Sequence, residues 1–166
     1  MFTAADLRNI AIQIEKNGEQ TYLAAARAAT SENVAEVLRW MAAEEKRHQQ
    51  WFEALQLKEQ PKTEEQEELE ALGRGLLQDM IKDQTFSLDQ KRLARTTQVK
   101  EVLLQCQDFE AETVLFYEFL VPLVEGEENL RQLQGIINEE KKHLERLTQL
   151  MQTFDADVNG VAVEDI

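Results

Sequence analysis

Glu15-Lys16-Asn17-Gly18-Glu19-Gln20-Thr21-Tyr22 in the first half of the chain and Glu110-Ala111-Glu112-Thr113-Val114-Leu115-Phe116-Tyr117 in the second share one frame, a Glu followed seven residues later by a Tyr. Glu45-Lys46-Arg47-His48 follows the first stretch, and Glu140-Lys141-Lys142-His143 follows the second at the same distance. Glu15 with Glu110, Tyr22 with Tyr117, Glu45 with Glu140 and His48 with His143 all align at a single offset of 95 residues, without a gap. Across 11–52 and 106–147 the background agreement is poor, with Leu38 and Leu133 among the few other identities. A repeat kept only for packing matches best at its apolar positions. This one matches best at polar ones.

The surrounding pattern is helical. Ala, Leu, Glu, Gln and Lys dominate, and Gly (6) and Pro (2) are scarce. The periodicity predicts helices over about 4–29, opened by Thr3-x-x-Asp6, and 32–56, opened by Ser31. Pro61 ends that region. A short polar helix is expected over about 64–82, with Leu69, Leu72, Leu76 and Ile81 as its buried stripe. Ser87-x-x-Gln90 opens a third long helix, about 88–121, closed near Pro122. Gly126 precedes a fourth, about 127–153. Very short loops join the long helices in two pairs, so each pair is antiparallel. Roughly thirty residues separate the pairs, enough for a crossover from one end to the other. The expectation is an all-α, ferritin-like four-helix bundle over 1–153, made of two helical hairpins and a long crossover containing a short helix, with an acidic tail over 154–166.

The formal net charge is −14. Segment 53–70 carries seven acids against Lys58 and Lys62, and 155–166 carries four acids and no base, together −9. That balance argues against nucleic acid or an anionic membrane as partner. No apolar run is long enough to span a bilayer, and the first residues do not read as a signal peptide. One cysteine, Cys106, allows no internal disulfide. A reducing, cytoplasmic location is expected, with Cys106 as a small core residue.

On helices, Glu45 and His48 stand three apart and share a face, as do Glu140 and His143. Glu15 and Glu110 each add one carboxylate from the first and third helices. Tyr22 and Tyr117 lie two turns further along those faces. One Glu from each of two helices, with Glu-x-x-His from each of the other two, makes a di-metal site inside a bundle. Four carboxylates balance two divalent cations, whereas four unpaired buried carboxylates are very costly. Carboxylate with imidazole and no thiolate favours iron or manganese over structural zinc.

On these residues the chain resembles the rubrerythrin branch of the ferritin-like superfamily, over roughly 5–55 and 95–150. The resemblance implies a di-iron centre, with manganese or zinc as possible substitutes. It implies bridging by Glu45 and Glu140, terminal ligation by Glu15 and Glu110, and one metal each for His48 and His143. Tyr22 and Tyr117 are then donors to the ligating carboxylates. The rubredoxin-type domain of rubrerythrins has no counterpart here, so a separate electron-donor protein is expected. The further Glu that rubrerythrins carry one turn along the third helix is Thr113 here, and Gly18 is its counterpart in the first half. Both are small, which implies a symmetric six-ligand site with space beside the metals.

Blander readings exist for each feature. A single Glu-x-x-His on a Glu-rich helix is usually a solvated face, and the duplication argues against that here. Glu44 and Glu139 also repeat but point about 100° away from the ligands. Glu19 lies on the ligand face, yet its counterpart is Val114. Trp40, Trp51, Phe52, Phe116 and Phe119 read as packing. Asp155-x-Asp157-x-Asn159-Gly160 opens like a calcium loop, but its twelfth position is Ile166 rather than Glu. The leading functional expectation is redox chemistry on oxygen or peroxide, in a homodimer or higher homo-oligomer. Iron oxidation or storage is the alternative, which a hollow cage would mark. A helical interaction module with a structural metal is the third, which inertness towards oxygen and peroxide would mark.

Overall fold

The computed structural model describes residues 4–54, 63–82, 85–124 and 126–160, apart from the side chains of 4, 66, 69, 70, 73, 74, 76–78, 80, 123 and 153–160. Its helices are α1 (Ala4–Ala28), α2 (Glu32–Ala54), α3 (Glu64–Ile81), α4 (Gln90–Arg95), α5 (Val99–Leu120) and α6 (Glu127–Gly160). A single 3-10 turn, Val121–Leu123, follows α5. The α1–α2 and α5–α6 hairpins each pack closely along their length, and the architecture is the expected all-α, ferritin-like bundle.

The turns form where the sequence demands them. Ser31 closes the first hairpin: the Ala35 N–H donates to its carbonyl at 2.9 Å, and the Val34 N–H reaches its hydroxyl at 3.5 Å. Pro122 lies in the 3-10 turn after α5, and Gly126, with φ 88°, turns the chain into α6. That left-handed conformation suits glycine. The core stripe runs through Leu7, Ile10 and Ile14 on α1, Leu38 and Met41 on α2, Leu103 and Phe109 on α5, and Leu133, Ile136 and Leu147 on α6, all within 2 % of full burial. Their three- and four-residue spacing gives each helix one apolar face.

Several expectations need correcting. The third long helix is broken into α4 and α5. Asp89, not Ser87, caps α4, its carboxylate accepting from the Lys91 and Arg92 N–H groups. Thr96 then leaves the helical region (φ −69°, ψ 132°), and its hydroxyl donates to the Arg92 carbonyl at 2.8 Å. Threonine side chains that bond their own backbone compete with helix continuation. The break seats buried Leu93 as α4 packs against α1. On α3, Leu72 is 65 % exposed while Ile81 is buried. Of the aromatics read as packing, Phe52 is in the core and Phe116 packs against it, and Trp51, though partly exposed, lays its ring against Phe52 with centroids 5.0 Å apart, whereas Trp40 and Phe119 are exposed. Helix α6 runs on to Gly160, seven residues beyond the expected end at Thr153, so the calcium-loop-like segment has helical backbone there. Thr3, Pro61 and residues 161–166 lie outside the described residues.

The crossover is fastened next to the future site. Buried Asn17 on α1 donates from Nδ2 to the Ile81 carbonyl at 2.9 Å, where α3 ends. Beyond it, Phe86 adopts φ 46° and lays its ring against Phe109 and Phe116, with centroids 6.1 and 5.7 Å away. A non-glycine residue in that region is strained and persists only when its surroundings hold it. The Ser87 N–H donating to Glu112 Oε2 at 2.6 Å is one such restraint. Replacing Asn17 with Ala removes the tie and leaves the Ile81 carbonyl without that donor. The expected cost is about 1–3 kcal/mol, read as a lower Tm of the metal-free protein. An N17A variant that melts like the parent would show that the tie adds nothing.

Candidate metal centre

The apolar stripe of each long helix is interrupted at one level by an acid. On α1, Glu15 sits among Ala11, Ile14 and Tyr22. On α5, Glu110 sits among Cys106, Phe109 and Tyr117. On α2, Glu45 and His48 lie between Ala42 and Phe52, and on α6 Glu140 and His143 lie between Ile137 and Leu147. The same helical register that buries the leucines therefore buries the acids. The six polar residues are 0–2 % exposed.

They converge. His48 Nδ1 lies 3.5 Å from Glu15 Oε2 and 3.8 Å from Glu140 Oε1, and His143 Nδ1 lies 3.2 Å from Glu110 Oε1. The two imidazoles meet edge to face, centroids 4.6 Å apart. Potential ligand atoms of His48, Glu140 and His143 lie within 4.8 Å of one another, and so do those of Glu45, Glu110 and His143. Ligand bonds of about 2.0–2.2 Å place donors around one ion up to about 4.4 Å apart, so these donors stand close to ligand spacing, with His143 common to both groups. Glu15 joins neither trio and enters through His48.

Whether these residues fit a metal is decided by their unused atoms. Glu15 Oε2, Glu45 Oε1, Glu110 Oε1, Glu140 Oε1 and both ring nitrogens of His48 and His143 are buried without a hydrogen-bond partner among the described residues. A buried polar atom in that condition ordinarily costs on the order of 1–3 kcal/mol. Cations coordinated at the carboxylate oxygens and Nδ1 atoms would remove most of that cost. The donor set fits hard divalent metals.

Charge tells the same story. Burial, and then the carboxylates of Glu110 and Glu15, push the Glu45 carboxyl well above its ordinary range. Glu140 is raised in the same way, by burial and then by Glu15 and Glu110. Burial pulls the His143 imidazole down, but the Glu110 carboxylate outweighs it and leaves the group raised. All three shifts are in the direction that favours protons in place of cations when no metal is bound.

The other repeated or rival acids stay outside. Glu44 is ion-paired with Arg47 and, at 3.5 Å, with Arg146, and Glu139 with Lys142 at 3.2 Å. Glu19 lies 3.8 Å from Lys46. Tyr22 and Tyr117 are fully buried beside the carboxylates, yet neither hydroxyl makes the expected hydrogen bond to a carboxylate. Cys106 lies beside Tyr22, and burial pushes its thiol up to about 12. The expected space beside Gly18 is not open either, because the Glu45 carboxylate and the Phe109 ring occupy it. Sequence reasoning missed Phe109 as a wall of the site, for nothing in the repeat marks it. It also left Cys106 in the general core, although its place one turn before Glu110 puts it on the ligand face.

A sequence model of the rubrerythrin family matches residues 7–151. The chain belongs to the rubrerythrin family. The rubrerythrin match takes in both hairpins and all six converging residues. Comparison with curated proteins and with solved structures returns no match. No helix among the described residues is long and apolar enough to cross a membrane.

The raised carboxyls give this rubrerythrin centre a pH signature. With both carboxyls raised in the folded, metal-free chain, Glu45 and Glu140 favour their protonated forms there and lose protons at the ordinary value of about 4.5 when unfolded. Stability is therefore greatest below that value and is lost as pH rises towards the folded values. Thermal melts of the metal-free protein should show Tm falling from pH 5 upwards, with a flatter profile in the E45Q/E140Q variant. Equal slopes in the two proteins would dissociate the effect from this pair.

Proposed function

We propose that the chain is a di-iron protein with redox activity towards oxygen or peroxide, supplied with electrons by a separate donor protein. The observation that carries this reading is the convergence of six buried side chains, Glu15, Glu45, His48, Glu110, Glu140 and His143, on which eight nitrogen and oxygen atoms make no hydrogen bond among the described residues and face one another instead. We assign Glu45 and Glu140 as bridges, Glu15 with His48 to one ion, and Glu110 with His143 to the other. Manganese or zinc can occupy the same oxygen and nitrogen donors.

When bound, a pair of irons supplies two one-electron equivalents, which suits oxygen or peroxide. The chain's own groups set the conditions. Near-complete burial excludes bulk water and favours a substrate of a few atoms. Burial, followed by Cys106 and the carboxylates for Tyr22 and by the carboxylates for Tyr117, holds both hydroxyls well above their ordinary range, so both stay protonated and can donate a hydrogen bond towards the carboxylates or a small oxygen ligand. Glu45 and Glu140, which favour their protonated forms without metal, release protons on loading.

Two further proposals concern the setting. One buried, free cysteine suits a reducing compartment, and we assign the cytoplasm. Leu104, Leu115 and Phe119 fall on one side of α5 and are 44 %, 63 % and 68 % exposed. We assign that stripe to contact with a second copy of the chain.

The decisive experiment is anaerobic loading with ferrous iron, a metal count, and then addition of peroxide or oxygen followed by visible absorbance. Two ions per chain and a rapid spectral change are expected, while a loaded protein inert to both oxidants would leave the metal a structural role. E45A should weaken iron binding by about 100-fold or more, given that even outer partners of ligands are worth 10–100-fold. Two ions still held tightly by E45A would refute the bridging assignment. For the assembly, L115E/F119E should elute from size exclusion as a smaller species than the parent. An unchanged elution volume would move the contact elsewhere.

A further inference from the structure

We propose that Gly18 is a positioning residue for Glu45: the missing side chain at 18 is the space that the Glu45 carboxylate needs to face the centre. The inference rests on the metal-binding reading above and adds to it a residue that is not a ligand.

Glycine in the interior of a long helix is unfavourable, because it gives up more chain entropy than any other residue. Gly18 sits deep within α1, and its backbone is not in the left-handed region that would call for glycine. Conformational freedom is therefore not the reason for it, and space is. A Cβ at 18 would stand 3.0 Å from Glu45 Oε2, 3.3 Å from Glu45 Cδ and 3.3 Å from Phe109 Cε1. By contrast, a Cβ at Gly135, in the interior of α6, would meet nothing within 4 Å.

The neighbours differ in how easily they can yield. Phe109 is 1 % exposed and is braced by the Tyr22 ring, edge-on with centroids 6.2 Å apart, and by Phe86 at 6.1 Å. Glu45 is equally buried, but its carboxylate is the end of a flexible side chain. An added methyl therefore displaces the carboxylate rather than the ring or the helix. A displacement of a few tenths of an ångström is harmless to packing but matters at a ligand held within about 0.2 Å of its ideal distance.

The repeat shows that this space is specific to one half. At the offset of 95, Gly18 corresponds to Thr113 and Phe109 corresponds to Ile14. The first pair is very small with very large, and the second is two of intermediate size. Thr113 is buried and spends its hydroxyl on the Phe109 carbonyl, at 2.9 Å. Glu45 is thus seated in a slot left by a glycine and walled by an aromatic ring, and the repeat places neither a glycine nor an aromatic ring at the matching positions of the other half.

The test compares G18A and G135A with the parent chain by anaerobic ferrous-iron titration under equilibrium dialysis, alongside thermal melts of the metal-free proteins. G135A should raise Tm by about 2–4 °C through helix propensity alone and bind iron like the parent. G18A should melt no lower than the parent without metal, yet bind at least one of its two ions tenfold or more weakly, the range seen when groups that orient ligands are altered. In an E45D background, where the carboxylate is withdrawn by one methylene, adding G18A should change affinity no further. Parental iron affinity in G18A would overturn the proposal. So would a metal-free G18A that fails to fold, since the collision would then fall on the framework and not on the carboxylate. A parent chain that binds no iron would instead remove the di-iron reading itself.

Discussion

Four carboxylates meeting inside a low-dielectric bundle must be offset by positive charge, and the side chains that join them at that level among the described residues are two imidazoles, His48 and His143. The lysines and arginines flanking the two Glu-x-x-His pairs face outward. Lys46 points to Glu19, Arg47 and Arg146 to Glu44, Lys141 to Glu118 and Lys142 to Glu139. What remains is protons or metal ions. Each added cation displaces protons from groups that burial has already made reluctant to ionise, so coordination, proton release and stability are one linked equilibrium. The surrounding helices are built to keep those acids together despite their repulsion. Leucines, isoleucines and aromatic rings above and below the acidic level bury enough surface to hold it closed.

The arrangement of the centre was legible from a regularity that packing alone does not produce. Glu, Tyr and Glu-x-x-His recurred at one spacing, and helical geometry turned that spacing into a common face. Short turns at Ala29–Ser31 and around Gly126 then made antiparallel partners unavoidable. Family membership accords with both. Where the reading slipped, local chemistry or long-range packing had prevailed over periodicity. Residues 88–121 carry a continuous helical pattern, but the Asp89 cap and the self-bonding Thr96 divide it. Trp40 and Phe119 are bulky and apolar, and composition does not reveal that they stay exposed on a single chain. The charged stretch after Thr153 reads as tail because its polarity masks the helical continuation to Gly160.

The tyrosines show how far a repeat can be trusted. Their equivalence placed both beside the carboxylates, where they are, and anticipated bonds that the structure does not contain. Tyr22 adjoins the thiol of Cys106, whereas the residue matching Cys106 in the first half is Ala11. The two hydroxyls therefore sit in different surroundings, although the Glu and Tyr of the two helices share one spacing. Position was inherited from the pattern. Partners were set by the residues around it, which the pattern does not constrain.

Both hairpins belong to one polypeptide. A single hairpin of this kind, carrying two acids and an imidazole, could complete the same constellation only by pairing with its own duplicate, and every substitution would then appear on both sides at once. Covalent fusion through the crossover releases that restriction. One side can take a glycine and the other a threonine, or one an alanine and the other a thiol, while the shared ligands stay put. The segment that ties the halves together thus gives the protein something a symmetric assembly lacks, the freedom to evolve two dissimilar flanks around a common core.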